Sequence, residues 1–359
     1  MDTTKPTTSA LYRSILTQPA VIRAVVEDAA GTAAQAAGVL ASADRIFLTG
    51  TGTSSHAAVV GEHLLRMVGV DAYATTAFDF ATYPRPLRHG DALVAISHRG
   101  TKRYGALAIT HAREAGIPIV GLTGRGSPMD GADVVVETAP PETSSTHSAS
   151  YTANLAALAL IAAHVGERRG ADVTPLRAAL ATLPDMVSSL LARDDAVRSL
   201  AEALATRGRL VLVGAGPNAV TAREGALKVK ESSYLVAEGF ELETLLHGAL
   251  PAVEPGDVAV AIAAHGPALE RTCDAIRALG LIGAHLLVVA DERVVVNLPA
   301  DTSATVIAFA PVPEPLSPLL AVIPLQLLAA FTADLRHTDA DSFRNDDPVH
   351  KRANDSYTL

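Results

Sequence analysis

Glu224, Lys228 and Glu231 recur at four- and three-residue spacing in the run Glu-Gly-Ala-Leu-Lys-Val-Lys-Glu. On a helix turning ~100° per residue the three fall within about 60° of one another on one face, and Lys230 points elsewhere. Such a set is either a surface ion-pair network worth roughly a few tenths of a kcal/mol or a device that positions one carboxylate as a general base. His247 follows in Leu-Leu-His-Gly-Ala-Leu, an apolar context in which a histidine is more often a satisfied core residue than an acid–base group.

Two further groups stand where a strand pattern gives way to a helical one. In Gly50-Thr51-Gly52-Thr53-Ser54-Ser55 the backbone N–H groups and the hydroxyls of Thr53 and Ser54 could hold an anion at the positive end of the following helix. A dinucleotide site is the weaker reading, because the third glycine of the fingerprint falls at Ser55 and no acidic residue follows the next strand at the usual place. The second group, Ser97-His98-Arg99-Gly100-Thr101-Lys102, combines hydroxyls, a guanidinium and an ammonium. That combination favours phosphate, sulfonate or carboxylate, against the alternative that Arg99 and Lys102 are merely solvated loop charges. Ligands of open α/β sheets collect at the carboxyl ends of strands, so two such loops point to an anion site. His56 and His63 share a helix face without a carboxylate or cysteine at ligand spacing, and there is no G-x-S-x-G elbow. No metal and no cofactor are expected.

The elements that must position these groups are short apolar runs alternating with longer helical patterns. The runs are 45–50, 91–97, 118–123 and 132–138, then 209–214, 257–265, 284–290 and 303–309. Runs apolar throughout imply strands buried on both faces. The restart near residue 207 implies an α/β chain with two doubly wound parallel-sheet domains in tandem, flavodoxin- or Rossmann-like. Arg-Ile-Phe-Leu-Thr-Gly-Thr-Gly at 45–52 and Arg-Leu-Val-Leu-Val-Gly-Ala-Gly at 209–216 share a strand–Gly-x-Gly–helix signature and look like an internal repeat. The expected organisation is an N-terminal helical segment 1–30, a first domain 31–170, a helical connection 171–206, a second domain 207–340 and a tail 341–359. The tail loses hydrophobic periodicity and reads as disordered or as an extended segment laid over another surface. The apolar stretch 317–335, interrupted by Pro324 and Gln326 and ending near Asp334, reads as a buried helix, too polar and short for a bilayer span.

Composition narrows the partners. The 359 residues carry Lys+Arg 29 against Asp+Glu 38, a net charge of -9, with no basic run longer than Lys102-Arg103 or Lys351-Arg352. Neither nucleic acid nor an anionic membrane is an expected partner. The single cysteine, Cys273, reads as a small buried thiol. The opening residues show no basic start followed by an apolar block, so a cytoplasmic protein is expected.

Taken together these residues resemble the tandem sugar-isomerase (SIS) domain family, in particular the isomerase half of glucosamine-6-phosphate synthase. The resemblance runs over nearly the whole chain: Ile15-Leu16-Thr17-Gln18-Pro19, Gly52-Thr53-Ser54, the loop from Ser97, Glu142 ahead of Tyr151-Thr152, Glu224 to Glu231, Ala237-Glu238, Leu245 to Gly248, and Pro324 to Ala329. It implies that Glu231 moves a proton between C1 and C2 of an opened sugar, and that His247, donated by a neighbouring subunit, assists ring opening. Glu224 and Lys228 become supporting residues, and Thr53, Ser54, Ser97, His98, Arg99, Thr101 and Lys102 match positions that hold the substrate's anion and hydroxyls. A homodimer with sites at the subunit interface follows.

Three departures bear on this. Met1-Asp2-Thr3-Thr4 offers no cysteine for a glutamine-hydrolysing domain, so glutamine-dependent amidation is not expected of this chain alone. The family's phosphate loop reads S-x-S-G-x-T, whereas here cations replace a hydroxyl and the terminal threonine. The family's imine-forming lysine follows an R-N-L-A-K pattern, whereas Arg344-Asn345-Asp346-Asp347-Pro348 has proline there; Lys351 could substitute only by rerouting the tail. The leading expectation is an aldose–ketose isomerase acting on an anionic hexose, a 6-phosphate first, with sulfonated or carboxylated sugars open. Alternatives are an amino-sugar-phosphate deaminase or deglycase, an aminotransferase fed by external ammonia, and a non-catalytic sugar-phosphate sensor.

Overall fold

Each apolar run expected to form a strand does so in the computed structural model, which describes residues 9–357. Residues 1–8 of the expected N-terminal helical segment and 358–359 of the tail lie outside the described residues. The chain begins with α1 (Ala10–Asp28), α2 (Ala30–Leu40), β1 (Arg45–Gly50), α3 (Thr53–Met67), β2 (Asp71–Thr76) and α4 (Ala77–Thr82). It continues through β3 (Asp91–Ser97), α5 (Arg103–Glu114), β4 (Ile119–Thr123), β5 (Val134–Glu137), α6 (Ala149–Arg169), α7 (Thr174–Leu191) and α8 (Asp194–Arg207). The second half holds β6 (Arg209–Gly214), α9 (Pro217–Ser233), β7 (Val236–Glu241), α10 (Leu242–Thr244), β8 (Val258–Ala263), α11 (Leu269–Ile282), β9 (His285–Asp291), β10 (Ala304–Phe309), α12 (Ser317–Leu335) and α13 (Pro348–Asn354).

Two compact units result. One, built on β1–β5, takes Gln18–Glu142 and Ala149–Asp185; the other, built on β6–β10, takes the described residues up to Thr17, the short segment Thr143–Ser148 and the described residues from Met186 onward. Their sheets have the same order, β2-β1-β3-β4-β5 and β7-β6-β8-β9-β10, and every pairing is parallel. The chain is thus two doubly wound α/β sheets of one topology, as the repeated signature implied. In the first, Phe80 of α4 and Ala108, Ile109 and Ala112 of α5 pack on Phe47, Leu93 and Ala95. In the second, Ala275, Ile276 and Leu279 of α11 cover Ala259, Ala261 and Val288.

Burial on both faces holds for the inner strands β1, β3, β4, β8 and β9 and fails at the edges, where β5 and β10 are largely half-buried or exposed. Two strands had no apolar run to reveal them: β2, Asp-Ala-Tyr-Ala-Thr-Thr, and β7, Val-Ala-Glu-Gly-Phe-Glu. Both are edge strands that bury little more than one alanine, Ala72 or Ala237, so polar residues carry no desolvation cost there.

The two Gly-x-Gly turns are conformational copies. Gly52 (φ 58°, ψ −127°) and Gly216 (φ 51°, ψ −125°) hold the backbone that leads into α3 and α9, a region side-chain-bearing residues rarely adopt. Ahead of each, a Cβ on Gly50 or Gly214 would run into the backbone of Ser54 or Asn218.

Two expectations need correction. The 317–335 stretch does belong to a helix long and apolar enough to cross a membrane, as does α6; the reason to read both as core helices is that the relevant windows, within Glu314–Leu335 and Ala149–Arg169, are 100% and 94% buried in the fold. Residues 341–357 of the tail are neither disordered nor extended. The carboxylate of Asp341 accepts hydrogen bonds from the N–H groups of Ala10 (2.7 Å) and Leu11 (2.9 Å) at the start of α1, the Arg344 N–H donates to the Tyr234 hydroxyl (3.1 Å), and Asp347 caps α13. Polar side chains bonding to backbone order this segment, which hydrophobic periodicity cannot register.

Asp341→Ala should therefore cost about 1 kcal/mol, the usual worth of a helix N-cap, read as a lower denaturant midpoint. Gly214→Ala should cost about 1–3 kcal/mol, because backbone rather than a movable side chain opposes the new methyl; an unchanged midpoint in either variant contradicts the corresponding assignment.

Candidate active site

The Gly50–Ser55 and Ser97–Lys102 loops leave the carboxyl ends of β1 and β3, which are paired neighbours, at the point where the strand order of this sheet reverses. The structure brings these two groups together. Thr53 and Ser54 open α3, half-buried, with the Ser54 N–H donating to the carbonyl of Thr51 at 3.2 Å. The Ser97 hydroxyl accepts from the Gly100 N–H (3.1 Å), which leaves its own O–H to donate, and the Ser97 carbonyl accepts from Thr123 (3.0 Å). The His98 carbonyl accepts from the Gly124 N–H (2.9 Å), and its ring lies against Gly124. Arg99 and Thr101 are exposed; Lys102 is half-buried at the N-cap of α5. Among the described residues neither Arg99 nor Lys102 has a carboxylate partner, and burial together with the charge of Arg99 pushes the Lys102 ammonium down from its ordinary pKa.

The second group lies on α9 in the other unit. Gly225 lets this helix close on its neighbours: a Cβ there would meet Leu212 of β6 and Leu325 of α12. The close approach buries the polar face predicted from spacing, and the surface-network alternative is wrong. Glu224 is 0% exposed, Lys228 1% and Glu231 16%, while Lys230 is exposed. Lys228 Nζ lies 2.7 Å from Glu231 Oε2 and 3.3 Å from Glu224 Oε1. Burial works against the Lys228 ammonium, yet the two carboxylates outweigh it and raise its pKa. For Glu231, burial dominates and raises the carboxyl above its ordinary value, with Glu224 adding to the rise and Lys228 and His147 opposing it.

His247 is not a core residue. Its side chain is 74% exposed on a π-helical turn, Leu245–Ala249, with Nε2 2.8 Å from Glu243 Oε2, and Glu243 is bound in turn by Arg271. Lys351 is not brought to the α9 cluster either: it lies 56% exposed on α13, paired with Asp355 at 2.9 Å. Cys273 is buried, as expected, with Sγ 3.6 Å from the carbonyl of Asn297. Among the described residues no group of His, Cys, Asp or Glu is arranged to hold a metal ion.

Sequence reasoning passed over His147, whose charge bears on Glu231. It sits in Thr-Ser-Ser-Thr-His-Ser at 143–148, between β5 and α6. A hydroxyl-rich run after a strand was the available signal. Other residues quoted in the family motifs are structural ties: Thr152 Oγ1, buried, donates to Gln18 Oε1 (2.8 Å), and half-buried Glu142 accepts from the N–H groups of Ala149 (3.2 Å) and Ser150 (2.7 Å) at the start of α6.

Comparison with known proteins agrees with this architecture. The SIS domain model matches residues 39–165 and 203–332. Glutamine–fructose-6-phosphate aminotransferase [isomerizing] of Pyrococcus horikoshii is 32% identical over 340 residues, which is 93% of this chain and 56% of that protein, so the chain spans about half the length of the curated relatives it matches. The C-terminal domain of glucosamine-fructose-6-phosphate aminotransferase from Francisella tularensis superposes with a TM-score of 0.85 at 20% identity, covering 93% of this chain and 98% of that one. Tagatose-6-phosphate ketose/aldose isomerase from Escherichia coli superposes with a TM-score of 0.72 at 19% identity, covering 91% and 93%. The chain belongs to the SIS domain family and carries two copies of that domain in tandem.

Proposed function

We propose that this protein interconverts the aldose and ketose forms of an anionic hexose, a sugar 6-phosphate first among them, by moving a proton between C1 and C2 through an enediol. The observation that carries the reading is Glu231: a carboxylate at the rim of a buried charge cluster, held by Lys228, with a pKa raised toward the range a general base requires. Glu224 serves as the enclosed counter-ion of Lys228. Thr53, Ser54, Ser97, His98, Arg99, Thr101 and Lys102 hold the anion; the two cations without carboxylate partners and the adjacent strand-end loops support that role. His247, exposed at the surface beside Glu243, opens the sugar ring in a neighbouring copy, which makes the working unit a homodimer. Lys351 lies exposed beside Asp355, and the Lys228 ammonium is held between two carboxylates that raise its pKa, so neither lysine is presented as a free amine for imine chemistry, and this favours isomerisation over amine transfer.

Proton NMR in deuterium oxide tests the reading with glucose, fructose, glucosamine and fructosamine 6-phosphates and a 6-sulfonated hexose. Deuterium should enter C2 as aldose and ketose interconvert, and Glu231→Gln should reduce the rate at least about 10²-fold. Release of free amine instead would reassign the site to a deaminase or deglycase, and binding without exchange would make the protein a sensor.

The pH profile carries a second expectation. The base must be ionised, so activity falls as pH drops through the raised Glu231 pKa, and the acid limb of kcat/KM should lie above the ordinary glutamate value of about 4.3. Lys228→Met removes the charge that holds this value down; the limb should move to still higher pH, and the fold should lose about 3–5 kcal/mol in denaturant unfolding because two buried carboxylates lose their partner. An unmoved limb would deny Lys228 its place beside the base.

A further inference from the structure

One titratable side chain reaches Glu231 from a distant part of the sequence. Thr143–Ser148 belongs to the unit that contains Glu231, while Glu142 before it and Ala149 after it belong to the other. The excursion is fastened on both sides of His147. Thr146 Oγ1 donates to the carbonyl of Ala340 at 2.9 Å, Ser148 Oγ bonds Ser14 Oγ at 3.1 Å, and the Ser148 carbonyl accepts from Gln326 Nε2 at 3.4 Å. Thr146, Ser148 and Gln326 are fully buried, and Gln326 belongs to α12, the helix that packs along α9. His147, half-buried between two pinned residues, is set within electrostatic reach of the Glu231 carboxyl.

Aldose–ketose interconversion, on which this inference rests, requires two proton movements, one on carbon and one on oxygen. Glu231 is suited to the first. For the second, Lys228 is a poor donor, because two carboxylates hold its proton in place. We propose that His147 is a catalytic residue that carries the oxygen-bound proton. Its imidazolium gives a proton to O1 of the open-chain aldose as Glu231 takes the proton from C2; the C2–H electron pair becomes the C1=C2 bond, and the carbonyl π pair becomes the O1–H bond. The neutral imidazole then takes the proton of the C2 hydroxyl as Glu231 returns its own to C1; the O2–H pair forms the ketose carbonyl and the C1=C2 π pair forms the new C1–H bond. Atoms and charges balance, and both side chains end as they began. Lys228 and Glu224 of α9 are charged groups that act on Glu231 beside His147.

The test compares the wild-type chain with His147→Gln and His147→Ala on one hexose 6-phosphate that the wild type interconverts. The proposal expects kcat of His147→Gln to fall about 10²–10⁴-fold with KM roughly unchanged, the alkaline limb of the kcat/KM profile to vanish, and added imidazole to restore part of the rate of His147→Ala. A His147→Gln rate close to wild type with both limbs retained would overturn it. Loss of rate with an unchanged pH profile and no imidazole rescue would overturn it equally, since a purely structural residue behaves that way; thermal unfolding of both variants identifies such a case. Absence of exchange in the wild type would sink the isomerase reading itself, a result separable from either of these.

Discussion

The ammonium of Lys228 is the constraint around which the α9 region is built. A side chain 1% exposed cannot keep its charge without compensation, since burying an unpaired ion costs several kcal/mol. Carboxylates one turn before and one turn after it supply that compensation, at 3.3 and 2.7 Å. The helix must then lie close against β6 and α12, and this is why position 225 has no side chain. Glu224 is enclosed entirely, 3.3 Å from the ammonium. Glu231 keeps 16% exposure, so one of the two carboxylates that pair the ammonium stays open to solvent.

The duplicated sheets show how one backbone supports two kinds of site. Both units leave their first strand through a Gly-x-Gly turn of nearly identical dihedral angles and enter a helix at the reversal of strand order. In the β1–β5 unit the adjoining loops carry hydroxyls and cations without carboxylate partners. In the β6–β10 unit the first helix instead carries a charge cluster more than one turn along its length. The turn therefore fixes where a helix begins, and the chemistry depends on side chains that the turn does not dictate.

This separation explains what could be read from sequence. Inner parallel strands announce themselves because both faces are covered, which leaves unbroken runs such as Asp-Ala-Leu-Val-Ala-Ile-Ser of β3. Edge strands β2 and β7 carry no such demand, and Thr75 or Glu238 fits them without cost. The Glu224–Lys228–Glu231 face followed from helical geometry, but its burial did not, because the residues that cover it come from β6 and α12. The apolar neighbours of His247 favoured a core position that it does not take. His147 escaped notice because its partner lies 84 residues away in a different part of the chain, and no local periodicity records a segment that crosses from one unit to another.

The α9 cluster is also a compromise between stability and chemistry. A carboxyl whose pKa is raised by folding binds its proton more tightly folded than unfolded, so the stability it contributes is present at low pH and is lost as pH rises through the raised value. An ionised Glu231 is thus a cost to the fold, lessened by Lys228 and deepened by Glu224. Selection for stability alone would favour a neutral side chain at 231, with Lys228 balanced by Glu224 only. Retaining a carboxylate there makes sense where its proton must leave and return during turnover, and the same burial that costs stability brings its pKa toward the pH at which it works. Lys228 opposes that rise and Glu224 adds to it, so the balance of the two neighbours sets how far the base is shifted.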